Sequence, residues 1–136
     1  MPLLTDIETH LGTVGPFVGG STTFTVRRNF IPDTPDAVIA LIEFPAGPAE
    51  RAMGASIGAP VRERAGLQVT TRSDQGNYDD ARTVAEAVHQ ELDFLDATLS
   101  GRRYFVQAMH PPALKEQDRN KRWLLEANYV VFKERG

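Results

Sequence analysis

The residues of this chain that could do chemistry are few, and their spacing argues against it. Gly54-Ala55-Ser56-Ile57-Gly58 fits the G-x-S-x-G pattern of a nucleophile elbow. That motif needs a strand before the serine and a helix after it, so that a strained turn exposes the hydroxyl. Here Ala59-Pro60 follows, and the next element reads as a strand. The histidines His10, His89 and His110 are scattered, with no pair at the i, i+4 spacing of a helical metal site. Asp79 and Asp80 are accounted for by a helix dipole, and Glu91, Asp93 and Asp96 spread around a helix instead of converging. Neither G-x-x-x-x-G-K-[ST] nor G-x-G-x-x-G occurs. Zero cysteines exclude disulfides and thiolate zinc sites. No catalytic, cofactor or metal residue is expected.

Arginine and lysine offer more. Arg102-Arg103 on a strand would send one guanidinium to each face, so the dipeptide makes no patch. Arg119, Lys121 and Arg122 instead share one loop with Asp118 and Asn120, beside the single tryptophan, Trp123. Nucleic-acid binders combine basic and aromatic residues in this way, but a solvated hairpin loop needs the same charges. A protein contact is the functional role this loop suits.

The elements that must position these residues follow from periodicity. Leu4, Ile7, Leu11 and Val14 recur at helical spacing, with a start at Pro2. Thr22 to Phe30 alternates as a half-buried strand, Ile31 to Asp36 is a turn by composition, and Val38 to Phe44 is a strand buried on both faces. Residues 45–60 follow, PAGPAERAMGASIGAP, eleven of sixteen being Gly, Ala or Pro. A structureless connection of that length is uncommon and usually functional or disordered. This one is expected to be mobile and to gain order on assembly, with Arg51, Met53 and Ile57 as its contact residues.

Leu67, Val69 and Thr71 then alternate with Gln68, Thr70 and Arg72. The strongest helix carries Ala81, Val84, Ala85, Val88, Leu92 and Leu95 on one stripe, with Asn77 as its cap. Phe94 falls outside that stripe. It is either an interface anchor or a residue covered by the following Ala97-Thr98-Leu99 segment. Arg102 to His110 and Leu124 to Glu134 complete the set as strands. The expected fold is α+β in a single domain of order α-β-β-β-α-β-β: a mostly antiparallel sheet of four to five strands, with two helices packed on one face.

Composition sets broad limits. A chain of 136 residues is one domain by size and buries roughly 68% of its unfolded surface. No apolar run reaches the length of a membrane span, and no signal-peptide pattern opens the chain. A net charge of −3 gives no reason for avid DNA or anionic-membrane binding.

The chain resembles small proteins of long-tailed bacteriophages, the tail-terminator or minor capsid family. The landmarks are LLTDIETHLG, IPDTPDAVIALIEFPAGPAE, PVRERAGLQVTTRSDQGNYDDARTVAEAVHQEL and LSGRRYFVQAMHPPALKEQDRNKRWLLEANYVVFKE. The resemblance implies a homo-oligomeric, six-fold ring that caps the tail tube and joins it to the head completion (connector) complex. Its partners would be the tail tube protein and the connector protein, and DNA would pass through the lumen without being read. It implies no enzymatic activity, no cofactor and no membrane, and a place in the virion after assembly in the host cytoplasm. Relatives often carry glycine in the last hairpin loop where this chain has Asn120, a residue that tolerates left-handed conformations. Two other classes fit the bare residues: a ligand-binding or enzymatic domain with 45–60 as a lid, and a nucleic-acid module using Arg119 to Trp123. Ser56 is expected to be inert: a fluorophosphonate probe should leave it unlabelled, and labelling would revive the enzyme class.

Overall fold

The computed structural model describes residues 3–45 and 62–134. In chain order the elements are α1 (Leu3–Val14), β1 (Phe17–Gly19), β2 (Thr22–Arg28), β3 (Val38–Pro45), β4 (Arg62–Gln75), α2 (Tyr78–Leu92), β5 (Asp96–Leu99), β6 (Arg102–Ala108), β7 (Ala113–Gln117) and β8 (Arg122–Glu134). Among the described residues eight strands make one mixed sheet in the order β1-β2-β3-β4-β8-β6-β5, with β7 on β8 as well. This corrects the expected α+β fold of order α-β-β-β-α-β-β with an antiparallel sheet of four to five strands: the described residues are mostly β, one curled mixed sheet with two helices.

Each discrepancy has a local cause. β1 is only three residues between Gly-Pro and Gly-Gly, too short to show alternation. All five residues of β7 are exposed, so it carries no apolar face to read and passes for a charged loop. β5 lay hidden because Leu92 and Leu95 fit helical spacing, yet the helix ends at Leu92. Asp93 is extended and Phe94 left-handed, with φ of 61°. Leu95 then begins a path beside β6, where its carbonyl accepts the Val106 N–H at 2.9 Å. Finally, β2 and β3 run parallel, Thr25 opposite Val38 and Arg28 opposite Leu41. The Ile31 to Asp36 stretch is therefore part of a crossover that returns along the strand, not a hairpin turn.

The middle of the sheet is the antiparallel pair β4–β8, in register from Arg62↔Glu134 to Arg72↔Leu124, with a bulge before Gln75↔Arg122. β6 and β7 follow one another along the other edge of β8, facing Tyr129–Lys133 and Trp123–Glu126. Alternation decides which side chains form the core. Leu67 and Val69 of β4, Ile39 and Leu41 of β3, and Leu125, Tyr129 and Val131 of β8 join one buried cluster. The same cluster takes Leu4, Ile7 and Leu11 from α1 and Ala81, Val84, Val88 and Leu92 from α2. Burying one such Leu, Ile or Val side chain contributes roughly 1.5–3 kcal/mol. Val14, assigned to the α1 stripe, is exposed at its last turn. Asn77 stands at the α2 N-terminus but makes no side-chain cap; its amide donates instead to Asp74 Oδ1 at 2.8 Å.

Polar locks tie the helices to the sheet. Asp6, buried in the first turn of α1, accepts from Tyr104 Oη of β6 and, at 2.7 Å, from Ser100 Oγ in the β5–β6 turn. Ser100 and Gly101 both have positive φ, as a two-residue hairpin turn requires. His10 Nε2 lies 2.8 Å from Glu91 Oε1, joining α1 to α2, and His89 Nδ1 lies 2.9 Å from Tyr129 Oη, joining α2 to β8. On the opposite face of the sheet Phe44 covers Gly66, where any Cβ would run into its ring.

Burial, followed by the bond and charge of Asp6, raises the Tyr104 pKa above its ordinary 10.0. Burial raises that of Tyr129, reinforced by Asp93 and Glu86. A phenol with a raised folded-state pKa lends stability that is complete below its unfolded pKa. That stability is lost as pH climbs toward the folded value. Urea unfolding should therefore show stability falling above about pH 10, and Tyr104→Phe with Tyr129→Phe should flatten that alkaline limb. An unchanged limb in the double variant would refute the assignment.

Candidate assembly surface

At the end of the β4–β8 ladder two buried arginines hold the crossover between β2 and β3. Arg72, on the face of β4 away from the helices, donates from Nε to the Asp36 carbonyl at 2.8 Å and from Nη2 to the Pro35 carbonyl at 2.7 Å. Arg122, the first residue of β8, is 6% exposed. Its Nη1 donates to the Asp33 carbonyl at 2.9 Å and to Asp36 Oδ1 at 3.0 Å, its Nη2 to Asp33 Oδ1 at 3.3 Å, and its Nε to Asp118 Oδ2 at 2.8 Å. A planar fork of five donors suits such a task, because one side chain reaches three carboxylates and a carbonyl together.

The electrostatics follow. Burial, then the neighbouring charge of Arg122, lowers the Arg72 pKa against the opposing pull of Asp118, Asp36 and Asp33. Burial would lower Arg122 too, but its hydrogen bonds to Asp118 and Asp36 carry it above its usual range. Asp118 is held below its ordinary value: burial opposes the shift, and the bonds from Arg122 and from the Asn120 amide outweigh it.

The same carboxylate shapes the β7–β8 hairpin. Asp118 Oδ1 accepts the Asn120 and Arg122 amides at 2.9 and 3.0 Å, while the Lys121 N–H bonds the Asp118 carbonyl at 3.0 Å. Lys121, not Asn120, occupies the left-handed position, with φ of 60°. Of the three basic residues singled out in this loop, Arg119 and Lys121 are exposed at its tip, whereas Arg122 is spent inside as a brace. The three line a shallow cleft of about 350 Å³ with Asp36, Gln75 and Asn120. Trp123 is half-buried and packs edge-on to Tyr78, ring centroids 5.7 Å apart, and its backbone N–H donates to Ser73 Oγ.

Phe94 is 67% exposed. The segment Ala97 to Leu99 runs alongside β6 as part of β5 and leaves the ring uncovered. Arg51, Met53, Ile57 and Ser56, with the 45–60 segment apart from Pro45, lie outside the described residues. Val18, Phe30, Met109 and Leu114, also exposed, escaped the sequence reading. Alternation marks a residue as facing away from the core but not as left bare. The bracing role of Arg72 was equally hidden, since Gln68, Thr70 and Arg72 share a face that reads as solvent. Among the described residues no group of three His, Cys, Asp or Glu could hold a metal ion, and no helix is long and apolar enough to cross a membrane.

The polar clusters thus fasten one element to another, while the exposed apolar and basic groups sit on strand edges, the α2–β5 junction and a hairpin tip. The chain matches the bacteriophage tail terminator proteins over residues 7–134 and belongs to that family; it is a structural protein of the phage tail. Its fold is shared by a solved chain from the virion of a native gene transfer agent particle, at 15% identity and a TM-score of 0.64. That alignment covers 98% of this chain and 95% of the other. A second solved chain aligns at 14% identity and a TM-score of 0.59, over 97% of this chain and 90% of its own length. No curated protein sequence matches.

Arg122→Met should cost on the order of 3 kcal/mol at neutral pH, because it leaves its aspartates without their buried partner. A carboxylate with a depressed folded-state pKa stabilises the fold above its unfolded pKa, and that stability disappears as pH falls through the folded value. The variant should therefore lose less stability than the parent below about pH 4. Equal acid sensitivity in the two proteins would show that Asp118 does not depend on Arg122.

Proposed function

We propose that the chain forms a six-fold ring that closes the end of the tail tube and joins it to the head completion (connector) complex. The observation that carries this reading is the family match, which spans residues 7–134 and so takes in the whole described sheet, α2, and α1 from Ile7 on. The virion source of the structurally similar chain supports a role within a particle.

On this reading the rigid sheet-and-helix body supplies the wall of the ring. Exposed side chains meet the neighbours: Phe94 at the α2–β5 junction, and Arg119 and Lys121 at the tip of the β7–β8 hairpin. Arg122 serves them indirectly by holding the hairpin in place. Arg51, Met53 and Ile57 of the 45–60 segment complete the contact set, and the partners are further copies, the tail tube protein and the connector protein. A chain of net charge −3 suits a conduit for DNA, since a strongly basic lumen would retain the genome.

Negative-stain images of the protein mixed with its tail tube protein should show tubes capped by six-fold rings. Arg119→Glu with Lys121→Glu should reduce the capped fraction while leaving the monomer melting temperature unchanged. Bare tube ends with the parent protein, at every concentration, would sink this reading.

A further inference from the structure

The cleft beside the tip of the β7–β8 hairpin is lined by polar side chains alone. Arg119, Asn120, Lys121 and Arg122 come from the hairpin, Asp36 from the β2–β3 crossover and Gln75 from the end of β4, around a volume of about 350 Å³. Each of those elements is held in place. Asp118 fixes the hairpin through the amides of Asn120 and Arg122, and the Gly76 N–H bonds the Lys121 carbonyl at 2.9 Å. Arg72 and Arg122 grip the crossover. A buried guanidinium is costly to place, and here two of them hold the elements that enclose one cleft. A site whose walls are set beforehand loses little entropy when it is filled.

The charges around it are not all matched. Asp33, Asp36 and Asp118 each bond Arg122, and Asp74, next to Gln75, accepts from the Asn77 amide. Lys115, exposed on β7, is paired with Glu126 at 3.3 Å. Arg119 and Lys121 differ: among the described residues their side chains have neither ion pair nor hydrogen bond, and the side-chain amides of Gln75 and Asn120 are likewise unbonded. Four of the six lining side chains therefore keep their donors free, two of them cations without a carboxylate. The number and type of these groups select the anion. Duplex DNA presents a continuous row of phosphates and is tracked by a row of cations. Here two cations stand by themselves, with Asp36 in the lining and a net charge of −3 on the chain. One guanidinium, one ammonium and two neutral amides suit a single carboxylate, whose two oxygens a guanidinium fork holds together.

We propose that this cleft receives a carboxylate side chain from an acidic segment of another virion protein. Arg119 and Lys121 meet its charge, and the Gln75 and Asn120 amides set its orientation by hydrogen bonds. Arg122 stays paired with Asp36 and keeps the shape of the site. This deepens the proposed place at the end of the tail and rests on it. Charged contacts of this exposed kind contribute specificity and association rate more than affinity. A short acidic peptide alone therefore binds weakly, and less so as salt rises.

The probes are a capped Glu-Asp-Glu peptide, its neutral Gln-Asn-Gln counterpart and a short DNA duplex, each titrated into the protein at matched ionic strength and followed by NMR. The acidic peptide should shift the resonances of Gln75, Arg119, Asn120 and Lys121, and the neutral peptide should not. Arg119→Gln with Lys121→Gln should abolish the shifts at an unchanged melting temperature. Gln75→Ala should weaken binding about fivefold, the worth of one hydrogen bond. In excess, the acidic peptide should also lower the fraction of tail tubes that the parent protein caps. Absence of shifts with the acidic peptide overturns the carboxylate site. Undiminished binding by Gln75→Ala does so too, since it would reduce the cleft to diffuse surface charge. A duplex that moves the same four residues more strongly overturns it in favour of phosphate. Peptide that binds without impairing capping overturns the partner role and leaves the ring reading standing, whereas peptide binding with bare tube ends overturns the ring reading alone.

Discussion

The antiparallel pairing of β4 with β8 is the constraint on which the remaining architecture depends. These are the two longest strands, and they lie side by side in the middle of the sheet although far apart in sequence. Their register places Leu67, Val69, Leu125, Tyr129 and Val131 on the face that receives both helices. Because side chains alternate with a period of two, a slip of one residue would turn that apolar set outward and bring Arg72 and Glu126 into the core. The remaining strands attach to this pair: β3 and its outer neighbours on the β4 side, β6, β7 and β5 on the β8 side.

Because β2 and β3 are parallel, the chain must travel back along the sheet between them, and it does so without a helix. This crossover buries little of its apolar surface, Phe30 being exposed and Ala37 alone buried. Arg72 and Arg122 hold it instead, one from each strand of the central pair, through the carbonyls of Asp33, Pro35 and Asp36 and the carboxylates of Asp33 and Asp36. Arg122 also grips Asp118, which organises the β7–β8 hairpin. One buried guanidinium therefore couples two loops distant in sequence, and the exposed Arg119 and Lys121 are presented from a braced turn. A buried charge is costly unless it is paired and hydrogen-bonded. Its presence here makes sense as a means of fixing loop geometry more than as a source of net stability.

The candidate surface was legible only in part. Phe94 stood out because it broke a helical stripe, but its exposure has a different origin from the one the stripe implied. The helix stops at Leu92, and a left-handed residue throws the ring outward. Arg119 and Lys121 were legible as a basic cluster, whereas Arg122, next to them and alike in type, is internal. Nothing in residue type separates a guanidinium that faces solvent from one that faces three aspartates, two of them some ninety residues earlier in the chain.

The two helices, the apolar run of β3 and the alternation in β2, β4, β6 and β8 are properties of the sequence by itself. Each is a local pattern whose period matches the geometry that buries it. The family, too, was written in the order and spacing of short landmarks along the chain. Tertiary structure alone decided the sheet's size and its parallel pair, because β1, β5 and β7 are too short, too well disguised or too exposed to carry a period of their own. They become strands because an unpaired backbone lies next to them: β2 for β1, β6 for β5, β8 for β7. The arginine brace and the bared ring of Phe94 were decided at the same level. Both depend on which distant residues the sheet brings together, and a single chain read in order holds no record of that.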